Sequence, residues 1–79
     1  MFKIERLREV AAQPDHTLHV TFEDGYEGFV DIKPFMEYEA FKNLGKIEEF
    51  MKFHNGGYFV EWKCGADLSA DTLRSRVNK

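Results

Sequence analysis

The segment Thr17-Leu-His-Val-Thr-Phe22 followed by Glu23-Asp24-Gly25 constrains this chain more than any other stretch. Its strict alternation is a half-buried strand with Leu18, Val20 and Phe22 on one face. Glu-Asp-Gly ends the strand in a hairpin turn. Two registers are open. A two-residue Asp-Gly turn would set Leu18, Val20 and Phe22 beside Asp31, Phe29 and Glu27. A three-residue turn with Gly25 as a left-handed bulge pairs Phe22 with Tyr26, Val20 with Gly28 and Leu18 with Val30. Because a one-residue slip sends every side chain to the other face, the wholly apolar face selects the second register. The opposite face then carries Thr17, His19, Thr21, Glu27, Phe29 and Asp31, with Phe29 across from His19.

Upstream, residues 3–12 alternate around Leu7, Glu9 and Ala11, although Ile4, Leu7 and Val10 would also suit a helix face. The turn cluster Gln13-Pro14-Asp15-His16, leading straight into a strand, favours a strand here too. Downstream, Pro34 opens a short helix over about 34–44 with Phe35, Tyr38, Phe41 and Leu44 near helical spacing and Gly45 as its stop. Lys46–Phe50 adds a helical turn or enters a strand. Asn55-Gly56 then predicts a type I′ hairpin that pairs His54 with Gly57. That register puts Met51, Phe53, Tyr58, Val60 and Trp62 on one face, and Phe50, Lys52, His54, Phe59 and Glu61 on the other. Gly65 breaks the second strand. Asp67 and Ser69 can each cap a last helix over 70–76, and Asp71 lies in its first turn, where the helix dipole favours an acid. The order is α+β: two hairpins and an N-terminal strand in a small antiparallel sheet, with one central and one C-terminal short helix.

At 79 residues the chain forms one domain, residues 1–79, and buries only roughly 60% of its unfolded surface. Eight Phe, three Tyr and one Trp supply the core, leaving little material for an enclosed pocket. A net charge of −3 gives no overall attraction to nucleic acid. The charge is uneven: residues 1–40 hold 4 Lys/Arg against 9 Asp/Glu, and residues 41–79 hold 7 against 5. One cysteine excludes an internal disulfide and fits a reducing compartment. No apolar leader and no run of ~18 apolar residues is present, so the expectation is a cytoplasmic protein without a membrane partner.

Residues able to do chemistry are scattered. His16 and His19 sit three apart, which on a strand points them to opposite faces. Adding His54 and Cys64 produces no zinc-like spacing, so no metal or cofactor is expected. Cys64 beside Lys63 lacks a positioned base, and no catalytic residue is assigned. Asp67, the sharpest single carboxylate, reads as a helix cap. Glu27 and Asp31, with Glu23, Asp24, Glu37 and Glu39, form an acidic set suited to a basic partner. Arg74, Arg76 and Lys79 could contact phosphates, but three cations are few for firm binding. His19, Phe29 and Phe59 lie opposite the apolar faces. Either helices cover them, or they form an exposed aromatic strip for dimerisation or partner binding.

The motif Val60-Glu-Trp-Lys-Cys-Gly-Ala-Asp-Leu68 with Asp71-Thr-Leu73, together with Leu18-His-Val-Thr-Phe-Glu-Asp-Gly25 and Val30-Asp-Ile-Lys-Pro34, resembles a family of short prokaryotic proteins. That family is catalogued as domain of unknown function 2442. The resemblance spans roughly residues 7–73. Trp62, Gly65, Ala66, Asp67, Leu68, Asp71 and Leu73 carry its signature. Lys63 stands where the family usually has Pro, Ala70 replaces a second Pro, and Arg74 stands where Tyr is common. The resemblance implies a small α+β domain with no established activity. Its members are often encoded beside another very short protein, in an arrangement like a toxin–antitoxin pair. Some relatives continue into a helix-turn-helix domain, which is not expected within these residues.

The resulting expectation is a non-catalytic protein-interaction module, the antitoxin-like member of a two-protein unit. Its expected partners are a small protein from a neighbouring gene and a second copy of the chain. Glu27, Phe29, Asp31, Phe59, Arg74 and Arg76 are its candidate contact residues. A nucleic-acid-binding accessory domain using the basic C-terminal segment is the alternative, and an enzyme ranks last.

Overall fold

The chain runs as β1 (Leu7–Ala12), β2 (Thr17–Phe22), β3 (Glu27–Asp31), two 3₁₀ stretches (Lys33–Glu37 and Glu39–Gly45) and α1 (Ile47–Phe50). It continues through β4 (Phe53–Asn55), β5 (Phe59–Trp62), β6 (Asp67–Ser69) and α2 (Ala70–Ser75). The structure is a computed structural model and describes residues 5–78. Positions 3 and 4 of the expected first strand, and Lys79 of the basic tail, lie outside the described residues. The α+β class holds. The strands divide into two antiparallel three-stranded sheets, β1-β2-β3 and β4-β5-β6.

The first hairpin adopts the register chosen by burial. Val20 faces Gly28, Leu18 faces Val30, and His19 faces Phe29. Gly25 is left-handed at φ 91°. The same turn recurs twice. In Gln13–Thr17, Phe22–Tyr26 and Trp62–Ala66, the fourth residue donates its N–H to the first residue's carbonyl, and the first donates to the fifth's. The fourth residues are His16 (φ 66°), Gly25 and Gly65 (φ 97°). Each turn is therefore a three-residue hairpin loop closed by a left-handed bulge.

The second hairpin corrects the expected register. Phe53 pairs with Trp62, His54 with Glu61 and Asn55 with Val60. The reversal moves to Gly57-Tyr58, with Gly57 at φ 86° and Gly56 N–H donating to Phe59 O. Two interactions outweigh the Asn-Gly preference. The Asn55 side chain accepts from Gly57 N at 2.9 Å, and the Phe59 ring lies over Gly56, where a Cβ would collide with it. Met51 and Tyr58 consequently leave the apolar face and stand exposed. Phe50, expected on the polar face of a strand, instead ends α1 and is fully buried.

The central helical segment is 3₁₀, not α. The spacing Phe35, Tyr38, Phe41, Leu44 has a period of three, which is the 3₁₀ repeat. Such runs are short, and Tyr38 breaks this one with an extended backbone (φ −85°, ψ 141°). Tyr38 is exposed while Phe35, Phe41 and Leu44 are buried. Gly45 closes the second stretch without the left-handed conformation expected of a helix stop.

Two further corrections fall in the last third of the chain. Asp67-Leu-Ser69, read as the capping segment of the last helix, is a strand whose Leu68 pairs with Val60. Ser69 alone caps α2, accepting from Thr72 N at 3.1 Å. Asp67 is held in the β5–β6 ladder opposite Glu61, too far back to serve as a cap. One apolar cluster joins both sheets: Leu18, Val20, Phe22 and Val30 meet Val60, Trp62, Leu68 and Leu73. Trp62 packs at 6.0 Å on Phe50 and at 6.3 Å on Phe41, and its indole N–H donates to Phe50 O at 2.8 Å.

Candidate interaction surface

The outer face of the first sheet is open around Phe29, although Thr21 on the same face is buried. On it the His19 and Phe29 rings meet across strands with centroids 4.9 Å apart. Ala11 flanks His19 on β1. Phe29 is 49% exposed, although its backbone is held on both sides. β2 lies on one side, and on the other Phe29 N and O exchange bonds with Asn78 at 2.9 and 2.7 Å. The ring is thus an exposed apolar group on a rigid support. It forms a wall of a shallow depression of about 560 Å³ lined by Gln13, Pro14, Asp15 and Thr17. A neighbouring hollow of about 350 Å³ lies between His19, Glu27, Gly28 and the same ring.

Acids surround these hollows. The Thr17 hydroxyl donates to Asp15 at 2.6 Å, and this bond holds the Asp15 carboxyl below its usual range. Burial pushes Asp31 up, but the Lys33 backbone N–H and ammonium, each 3.0 Å away, outweigh it and leave the net shift downward. Both groups are therefore anionic at neutral pH. Glu27, exposed at the other end of β3, lines the second hollow.

The remaining candidate residues do not converge here. Phe59 lies on the other sheet over Gly56, and no ring contact joins it to Phe29. Asp67 and Asp71 are exposed, whereas Trp62, Ala66, Leu68 and Leu73 belong to the core. Arg74 is folded back onto the chain. Its guanidinium is 3.1 Å from Glu5 and 3.2 Å from Asp24, and it stacks 3.9 Å from the Tyr26 ring and 4.9 Å from Phe22. The Asp24 bond leads in raising its pKa further. Arg76 covers Phe35 at 5.0 Å. The Cys64 thiol lies 3.7 Å from Ala40 O. Among the described residues no cluster of His, Cys, Asp or Glu could hold a metal ion, and no helix is long and apolar enough to cross a membrane.

Sequence reasoning missed the tail that covers β3. Its signal was Gly28, a glycine inside a strand, which marks close approach of another backbone. A Cβ there would collide with Val77 and Asn78. The left-handed His16 was also missed. Its ring packs 5.1 Å from Phe50, an aromatic contact that glycine could not make.

The family model described as "Protein of unknown function (DUF2442)" matches residues 7–79. The chain belongs to the DUF2442 family. The match covers both sheets, α2 and the tail residue Asn78. No curated protein and no solved structure matches the chain. The geometry gives the DUF2442 signature of this chain a structural meaning. Trp62 to Ala66 is a bulged hairpin loop, Leu68 adds the third strand of the second sheet, and Leu73 docks α2. The family's usual Pro at the position of Lys63 would sit second in that loop, where Pro14 sits in the first one.

Proposed function

We propose that this protein is a non-catalytic interaction module of the cytoplasm, the antitoxin-like member of a two-protein unit. It recognises a small basic partner on the outer face of the first sheet. The observation that carries this reading is the Phe29 ring, half exposed on a doubly bonded strand and bordered by Asp15, Glu27 and Asp31. Covering the rest of that ring removes ~100 Å² from water, worth roughly 2 kcal/mol or about thirtyfold in affinity. The acids add steering and selectivity more than affinity. Nucleic-acid binding by the C-terminal segment is less favoured, because Arg74 and Arg76 already serve aromatic and carboxylate neighbours within the chain.

The test is co-expression with the product of a short reading frame adjacent to its own, whose presence the reading requires. A complex that co-purifies, relieves growth inhibition and weakens at least tenfold in Phe29→Ala supports the reading. Glu27→Lys combined with Asp31→Lys should slow association most at low salt. Absence of both a complex and growth rescue would overturn it.

A further inference from the structure

The two edges of the first sheet are treated differently. At the β3 edge, Phe29 points its N–H and C=O outward, and Asn78 takes both. The β1 edge has no such cover along Val10-Ala11-Ala12. Its bonding pattern follows from the turn. Gln13 N donates to Thr17 O, so the antiparallel alternation makes Ala11–His19 and Glu9–Thr21 the bonded pairs. Val10 and Ala12 then face away from β2. Among the described residues, the backbone bond leaving this side of β1 comes from Leu7, whose N–H reaches Gly57 O in the second hairpin, whereas the Arg6 carbonyl, accepting from Glu23 N–H, continues the ladder toward β2. The bulge between Leu7 and Glu9 ends the regular strand there. What is left is a short edge without charge or proline, the kind that recruits another strand.

We infer that a second copy of this chain pairs with this edge, β1 against β1′ antiparallel, joining two three-stranded sheets into one of six strands. A twofold contact of this kind needs a self-complementary edge, and one register supplies it. With Val10 opposite Val10′, Arg8 faces Ala12′ and Glu9 faces Ala11′, so no like charges meet between residues 8 and 12 of the two strands. Sliding one way sets Glu9 against Glu9′, which is repulsive. Sliding the other way sets Arg8 against Pro14′, which has no donor. In the favoured register Arg8 lies at the end that runs toward the partner's Asp15 turn, whose carboxylate the Thr17 hydroxyl keeps ionised, while Arg6 stays over the Tyr58 ring of its own chain. The contact is short, so the dimer is concentration-dependent.

Sedimentation of the full chain from low micromolar to near-millimolar concentration, combined with amide hydrogen exchange, tests this. The expected result is a monomer–dimer equilibrium in which the Val10 and Ala12 amides become protected as the dimer fills. Ala12→Pro deletes an outward donor without touching the β2 ladder, and by symmetry it removes two bonds. It should weaken dimerisation roughly five- to hundredfold. Should that variant fail to fold, the exchange of the two wild-type amides still decides the matter. A monomer at every concentration overturns the inference, as does a dimer whose Val10 and Ala12 amides stay unprotected. Phe29→Ala leaves this dimer intact, so failure here and failure of partner docking are read separately.

Discussion

Replacing Arg74 by Ala separates an architectural role for the basic tail from a ligand-binding one. The guanidinium stacks on Tyr26 and lies near Phe22, and each contact is worth about 0.5–1 kcal/mol where partly exposed. Its ion pairs with Glu5 and Asp24 are only partly solvated, with the arginine side chain 25% exposed and the carboxylates 16% and 32%. Each pair adds up to about 1 kcal/mol. Ordering a long side chain returns up to about 1.5–2 kcal/mol, so the net loss on truncation is about 1–2 kcal/mol. For a domain of this size that lowers Tm by roughly 4–16 °C. Thermal melts followed by circular dichroism measure it. The rings and the carboxylates can be told apart by salt, since at 1 M the Debye length falls to about 3 Å. The deficit should shrink there without vanishing. Arg74→Lys, which keeps the charge but loses the planar stack, should fall between wild type and Ala. A melting curve for Arg74→Ala within 1 °C of wild type would refute this reasoning and return Arg74 to the pool of free cations.

Three further predictions concern turns and titration. Lys63→Pro should stabilise by about 0.4–1 kcal/mol in denaturant titration, because Lys63 holds the loop position that Pro14 holds in the first hairpin. A loss of stability would show that the two loops differ. Gly65→Ala should cost about 1–2 kcal/mol, purely from its left-handed backbone, since nothing lies within 4 Å of the added Cβ. Gly45→Ala, equally open but without positive φ, should be neutral or gain up to about 1 kcal/mol; equal losses at both sites would contradict this. Asp15 and Asp31 both titrate below the ordinary 3.8. Their contribution is therefore complete above that value and disappears as pH falls below it toward the folded-state value. Asp15→Asn combined with Asp31→Asn should flatten the acid limb of the stability curve below about pH 4, and an unchanged limb would remove these two groups from the account.

The legibility of the fold varied with the range of the interactions. The first hairpin could be read in full, because Gly25 and the alternation of Leu18, Val20 and Phe22 lie within a few residues and agree. The second could not. Its Asn-Gly signal competes with contacts that are just as local, the Asn55 side chain on Gly57 N and the Phe59 ring over Gly56, and the longer-range burial of Phe50 beside Trp62 goes with the observed register. The three-residue spacing of Phe35, Phe41 and Leu44 was visible and was assigned to an α-helix, although three is the 3₁₀ period. Of the candidate surface, the pairing of Phe29 with His19 and the outward placement of Glu27 and Asp31 were legible, since strand alternation fixes them.

By itself, then, the sequence determined what short-range sterics and periodicity determine. These are the strand faces of the first hairpin, the Gly25 bulge, Pro34 at a helix start and the α+β order. Tertiary structure decided what depends on groups far apart in the chain. It divided the strands into two sheets, turned Asp67–Ser69 from a cap into a third strand, and laid Asn78 along β3. It also folded Arg74 onto Glu5 and Asp24, which lie 69 and 50 positions away. No local pattern encodes such a partner, because the pair forms only once the intervening chain has closed and excluded water around it. The open outer face with Phe29 at its centre is likewise a tertiary outcome. The sequence placed that ring opposite the core, and only the packing of the whole chain left it uncovered.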